Sequence, residues 1–380
     1  MEAEGPRIVV FEVGGVIDLQ TRTLSIKNPY ITIAGQTAPS PGITLIRGET
    51  NTLDTHNVII QHIMFRPGEA GHAKKAGPDY DSFCATRSHN VIVDHCSLSW
   101  GSDENLSASG TRFAGETPAE WRRGTSHKIT YSNNLIYECL SHSIHPKGEH
   151  SKGSLFHDNV TGLLLYGNLY ASNYERNALF KGGVHAAQVN NFIYNPGKRA
   201  IHYNLIDHEW QGRAFQSGRL AIVGNVYRAG PDTASGLPLF LLGGNGDVLV
   251  HIRDNIAVDM FGKPLPLTGR YTQSSARMLA DKRPYLPGDI RIIPAARIEN
   301  EIYRTAGARP WDRDLIDLKL LSDVAEGRGL IIDAETENSS GYPKYAPTYK
   351  AFQEADWDLG TMAPKAGWAS LFKDLRSKLR

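Results

Sequence analysis

Along roughly the first 260 residues, short β-rich runs recur in pairs, each pair broken by a polar bend. The segments "HNVIIQHIMFRPG" from residue 56, "HNVIVDHCSLSWG" from 89, "HKITYSNNLIYEC" from 127 and "TGLLLYGNLYASN" from 161 align on one another. "AAQVNNFIYNPG" from 186, "LAIVGNVYRAG" from 220 and "VLVHIRDNIAVD" from 248 continue the series, and "PYITIAGQ" from 29 opens it. Alternating apolar positions bounded by turn residues predict strands. Their recurrence at irregular intervals of roughly 23 to 38 residues predicts a stacked solenoid.

One column of this alignment holds Asn134, Asn168, Asn191, Asn225 and Asn255, preceded by Cys96 and Ile63. An amide tolerates bent backbone and can bond the equivalent amides of neighbouring coils, so the column predicts parallel coils in register. Inward side chains then form a continuous core, and variation in coil length is confined to loops. The longest insertions, residues 66 to 87, 101 to 126 and 140 to 159, fall on consecutive coils and are expected to line one groove. Past residue 260 the pattern fades. There Asp312 is read as the N-cap of a helix carrying Leu315, Ile316, Leu320 and Val324 and ending at Gly327. The expected division is a solenoid over 1–260 and, over 261–380, an irregular segment with a helix and extended tail packed on it.

The 41 basic and 40 acidic side chains nearly cancel without blocks of like charge, which argues against a nucleic-acid footprint. No apolar run is long enough to cross a bilayer as a helix, so no membrane partner is expected. Cys84, Cys96 and Cys139 are odd in number and lie in or beside strand-like runs, which predicts buried free thiols. Residues 1 to 20 lack the features of a secretory leader, and the chain starts as if inside a domain.

Asp79 and Asp81 are two apart, so on extended chain both carboxylates face one side. With Asp103 from the next coil they make an oxygen-only set suited to calcium, although solvated loop carboxylates explain a lone D-x-D equally well. Arg176 and Lys181 stand five apart in "RNALFK", which requires a bend, read at Asn177, if they share a site. A surface ion pair between Arg176 and Glu175 is the plain alternative. His62 and His95 hold equivalent positions and are assigned to turn packing. His142, His145, His150 and His157 crowd one section, yet without cysteine partners or H-E-x-x-H spacing they are set aside as a zinc site. Trp100, Trp121 and Trp210 are read either as sugar platforms or as packing residues.

The coil repeat, the Asn column, "VDHCSLSWGSDENLS" and "RNALFKGG" together resemble the pectate lyases of the first polysaccharide lyase family. The resemblance covers roughly residues 5 to 260, and "GARPWDRDLID" resembles the tail of bacterial members. It implies an all-β, right-handed, single-stranded parallel β-helix with long loops on one face. It further implies a secreted or periplasmic enzyme, expected to be monomeric, that uses Ca2+ to cleave α-1,4-linked polygalacturonate or a related uronan by β-elimination. Carried over by position, Asp79, Asp81 and Asp103 match calcium ligands, Arg176 the base, and Lys181 a cation that grips the substrate carboxylate. The chain departs from the family pattern in three places. Ser107 stands where another ligand carboxylate is expected. R-N-A-L-F-K replaces R-x-P-x-x-R. The second substrate-binding lysine is assigned to Lys147, with His142 and Lys152 as competitors.

Elimination removes the C5 proton, alpha to a carboxylate, and expels the C4 oxygen. A guanidinium serves as base only if neighbouring cations and desolvation depress its pKa, which predicts an alkaline optimum. Two rival readings keep the solenoid: a hydrolase working through paired carboxylates, and a non-catalytic carbohydrate-binding or adhesin solenoid.

Overall fold

The computed structural model describes residues 2–368; Met1 and residues 369–380 of the expected C-terminal segment lie outside the described part. The paired runs are strands of a right-handed parallel β-helix, each coil contributing one strand to each of three sheets. The first sheet contains His56–Gln61, His89–Asp94, His127–Ser132 and Thr161–Tyr166; the second contains Ile63–Arg66, Ser97–Ser99, Leu135–Tyr137 and Leu169–Ala171. The third contains Phe83–Thr86, Leu106–Ser109, Leu155–Phe156, Leu179–Lys181 and Ile201–Leu205.

The alignment of runs in the sequence is the register of the first sheet. Val58, Val91, Ile129, Leu163, Ala186 and Leu220 pair in series and point into the core. Each large apolar side chain so buried contributes about 1.5–3 kcal/mol. The polar bend stacks as expected: Asn134 Oδ1 accepts the Cys96 amide at 2.8 Å, and Asn168, Asn191, Asn225 and Asn255 repeat the contact on successive coils at 2.9–3.0 Å. The three cysteines are free and buried. Strand pairing continues to Met278–Ala280, past the point where the sequence pattern fades.

Strands of the second sheet are buried on both faces because the chain returns over them. Helices α2 (Ile298–Thr305) and α3 (Leu315–Ala325) lay Ile298, Ile302, Leu320, Leu321 and Val324 on Leu135, Leu169, Phe192 and Val226. The N-cap of α3 is Asp314, whose side chain accepts the Asp317 amide at 2.9 Å, and not Asp312, which instead pairs with Arg309. The exposed Leu315 lies on the side of α3 away from the sheet. Among the described residues no helix is long and apolar enough to cross a membrane.

Candidate active site

Turns from the second to the third sheet end in a row of charged residues on successive coils. Asp81 stands two residues before Phe83, Glu104 two before Leu106, Arg176 three before Leu179 and Arg199 two before Ile201. Lys152 bridges Glu104 on one side and Glu175 on the other in parallel register. The rows are held close by backbone bonds such as Gly153 N–H to Glu175 O at 3.0 Å. Gly153 has no side chain for a reason: a Cβ there would lie 2.6 Å from the Arg176 carbonyl oxygen. Beneath the row runs a second amide ladder in which Asn105 donates to Asn173 at 3.2 Å and Asn173 to Asn177 at 3.1 Å.

Charge is sorted along the row. Asp81, Asp103 and Glu104 bring carboxylate oxygens within 4.8 Å of one another, and Asp81 accepts the Glu104 amide at 3.0 Å. Burial pushes Asp81 well above the usual carboxylate range, reinforced by Asp103 and Glu49, while Glu49 is itself raised by burial and by Asp79 and Asp103. Burial also acts on Asp103, but His150, Arg176 and His145 outweigh it and hold that carboxyl low. Farther along, Glu175 is paired with Lys152 and Arg199 and lowered to about 2, these cations and His202 overcoming its burial.

Arg176 joins the two halves. Its Nη1 is ion-paired with Glu104 Oε1, and the bend expected at Asn177 spans Arg176, with φ of 62°, and the cis Asn177–Ala178 peptide. Burial lowers its pKa, opposed by Asp103 and Asp81 and assisted by Arg199. Left-handed backbone at a non-glycine residue is held only where the surroundings over-determine it.

The residues singled out in the sequence fall into two sets. Asp81, Asp103 and Arg176 come together, with Asp79 exposed at the margin and its charge felt by Glu49 and His145. Lys181 closes the strand that Arg176 precedes and is ion-paired with Glu209, near Arg112 and Asp158 on the opposite edge of the third sheet. Lys147 is exposed on a turn, its amide bonded to His145 Nδ1 at 3.1 Å, and His142 is exposed and bonded to Asp333 at 3.1 Å. Ser107 is buried and offers its hydroxyl to Asp81. The insertion over 101 to 126 divides: its start enters the site, whereas α1 (Pro118–Gly124) follows the third sheet and packs elsewhere. Trp100, Trp121 and Trp210 are buried, so they serve packing. His62 and His95 stack at 5.1 Å between ring centroids, as turn packing requires.

Glu104, Glu49, Glu175 and Arg199 were missed. Glu104 adjoins Asp103 in "SDENLS", and the parallel register of charged residues two before each strand was the available signal. The oxygen set fits calcium, whose 2.3–2.6 Å bonds let carboxylate oxygens up to about 5 Å apart share one ion. The fit rests on surplus negative charge that the protein does not balance locally at Asp81.

No family model matches the chain. It is 32% identical over 232 residues to a probable pectate lyase C of Emericella nidulans, a match covering 61% of this chain and 45% of the relative. The probable pectate lyase C of Aspergillus terreus gives 32% over 228 residues, 60% of this chain and 45% of the relative. Over this stretch the chain is similar to pectate lyases. It spans about half the length of the curated relatives it matches. The pectate lyase Bsp165PelA of Bacillus sp. N165, solved in complex with trigalacturonate, superposes with a TM-score of 0.50 at 13% identity, covering 77% of this chain and 83% of that one. The thermostable pectate lyase PL 47 gives 0.50 at 14% identity over 75% and 69%. At such identities these two likenesses speak to the β-helix fold.

Proposed function

We propose that the chain is a calcium-dependent pectate lyase acting on polygalacturonate by β-elimination. The observation that carries this reading is a partly desolvated arginine of lowered pKa ion-paired into a carboxylate cluster, both in the row of charged residues along one edge of the third sheet. In polygalacturonate the C5 proton is weakly acidic because its loss puts a second negative charge on the uronate. Calcium held by Asp79, Asp81, Asp103 and Glu104 would supply positive charge against the uronate oxygens.

Arg176 takes the C5 proton in this reading. Each carboxylate that turns from Arg176 toward a cation leaves the guanidinium less compensated and easier to deprotonate. Lys152 is buried in the row while Lys147 and His142 lie outside it, so Lys152 is assigned to hold the substrate carboxylate. Arg199, on the next coil, takes the gripping role first given to Lys181. Charge-assisted hydrogen bonds from these cations strengthen as the uronate gains charge. The 32% identity to proteins named pectate lyase C supports the same chemistry, and the trigalacturonate in the Bacillus enzyme supports the substrate class. The same likeness supports an extracellular or periplasmic place of work.

A second reading, hydrolysis, draws on the opposed shifts of Asp81 and Asp103, one carboxyl raised and its neighbour lowered. One experiment separates them: ultraviolet absorbance of unsaturated product from polygalacturonate, with and without chelator, for wild type and Asp81→Ala. Chelator-sensitive absorbance supports elimination; reducing ends without absorbance support hydrolysis; binding without turnover leaves a carbohydrate-binding solenoid.

A further inference from the structure

Asp103 serves two groups at once. On one side it belongs to the oxygen cluster with Asp81 and Glu104; on the other it meets His145 and His150. His150 Nε2 lies 2.8 Å from Asp103 Oδ1, and His145 Nε2 lies 3.9 Å from the same oxygen. The two imidazoles stack with centroids 3.6 Å apart and planes inclined by 18°. Both histidines are buried, while Asp103 keeps 23% of its side chain exposed, which leaves a route from solvent.

His150 Nδ1 lies 3.0 Å from the Glu149 carbonyl oxygen. A carbonyl only accepts, so Nδ1 carries a proton and the neutral ring turns a bare Nε2 lone pair toward the Asp103 carboxylate. Two lone pairs at 2.8 Å repel unless a cation stands between them or the imidazole carries a second proton. Fixing Nδ1–H on a backbone carbonyl is also how metal-bound histidines are oriented.

We infer that Asp103, His145 and His150 form a second cation site, selective for a borderline divalent transition ion of the Zn2+ or Co2+ class and sharing Asp103 with the oxygen cluster. Two imidazoles and one carboxylate with an open position are the donor set such ions prefer over calcium. Bonds of about 2.1 Å in a tetrahedron put neighbouring donors about 3.4 Å apart, close to the observed 2.8 and 3.9 Å, and the stacked rings splay on binding so that both in-plane lone pairs meet one ion. His145 Nδ1 accepts the Lys147 amide at 3.1 Å, so ligation through Nε2 moves the His145 proton to Nδ1 and releases that amide. The turn over 145–148, exposed at Pro146 and Lys147, is therefore the part that shifts on binding.

The inference is independent of lyase activity and is tested by titrating Co2+ into the full chain in excess calcium, following the visible ligand-field bands. The expected result is saturable binding of one Co2+ with the intensified bands of a four- or five-coordinate nitrogen-containing site, displaced by Zn2+. His150→Ala and, separately, His145→Ala should each weaken binding by ~100-fold, as loss of a ligand exceeds the 10–100-fold effects seen for outer partners. Asp81→Asn should retain the bands, because Asp81 belongs to the oxygen cluster alone. Bands unchanged in both histidine variants, or no Co2+ bands forming in the presence of excess calcium, would overturn it. Circular dichroism on each variant separates lost binding from lost folding, and the two substitutions provide independent trials.

Discussion

Arg66 and Arg176 occupy turns or strands only a few coils apart, and their surroundings differ in kind. Arg66, on the second sheet, is sealed beneath α3: it meets Asp314 at 2.5 Å and Asp317 at 3.0 Å, with Tyr137 and Ser97 donating to Asp317 and Tyr345 to Asp314. Every carboxylate there has several donors, so the network is closed. Arg176, at the edge of the third sheet, faces a surplus of carboxylates crowded against one another, and its side chain keeps 23% of its surface. Buried charge in which every carboxylate is paired joins the C-terminal segment to the β-helix. Buried charge that is left unbalanced invites an external cation or an anionic sugar.

The largest expected effect lies at the open end of this comparison. Arg176→Ala should lower turnover on polygalacturonate by ~10²–10⁴-fold, the range for loss of a general base, with a smaller loss of stability than a substitution at Arg66, since it unpairs one buried carboxylate, Glu104, and not two. A comparable loss of stability would place Arg176 with Arg66 as a structural cation. The rate of the wild type should rise into alkaline pH, since only the neutral guanidine accepts a proton; a maximum below neutrality would point to another base.

At the closed end, Arg66→Met should cost about 3–5 kcal/mol in urea unfolding, because it leaves two buried carboxylates unpaired. Activity of the folded fraction should be retained. Calcium tests the open end as a ligand: at 100 times its dissociation constant it should add about 2.7 kcal/mol to stability, an increment that Asp81→Asn removes. Arg66→Met should keep the full calcium increment, because Asp314 and Asp317 of the closed network take no part in the oxygen cluster.

The smallest effect is a pH dependence on both sides. Burial holds His62, which bonds the Ala308 carbonyl under the C-terminal segment, and His202, near Glu175, at about 3. The unfolded chain binds these protons near pH 6.5 and the native chain does not, so stability falls as pH drops from about 6.5 toward 3. At pH 5 each histidine should cost about 2 kcal/mol, read as the shift in urea midpoint. His62→Phe should flatten its share of the slope; an unchanged slope would assign the acid sensitivity elsewhere.

Strand pattern and the Asn column made the coils legible, because an inward apolar residue and a stacking amide are needed at the same place on every turn. The acid pair and Arg176 were legible as motifs. Their partners were harder to read: Glu104 is masked by the neighbouring Asp103, Arg199 sits among unremarkable neighbours, and only the coil register brings them to Arg176. Lys181 shows the same limit from the other side, since five residues of separation hide a complete strand that carries it to the far edge of the sheet. The histidines at 145 and 150 lacked any recognised spacing, yet a turn stacks them against Asp103.

The amino-acid sequence by itself determined that this chain winds as parallel coils, with which residues inward and where the loops leave, because those demands repeat locally with every turn. Tertiary structure alone decided which charges meet, which are sealed and which stay open. Electrostatic balance depends on distance through space and on burial, and neither is written in the spacing of residues along one strand.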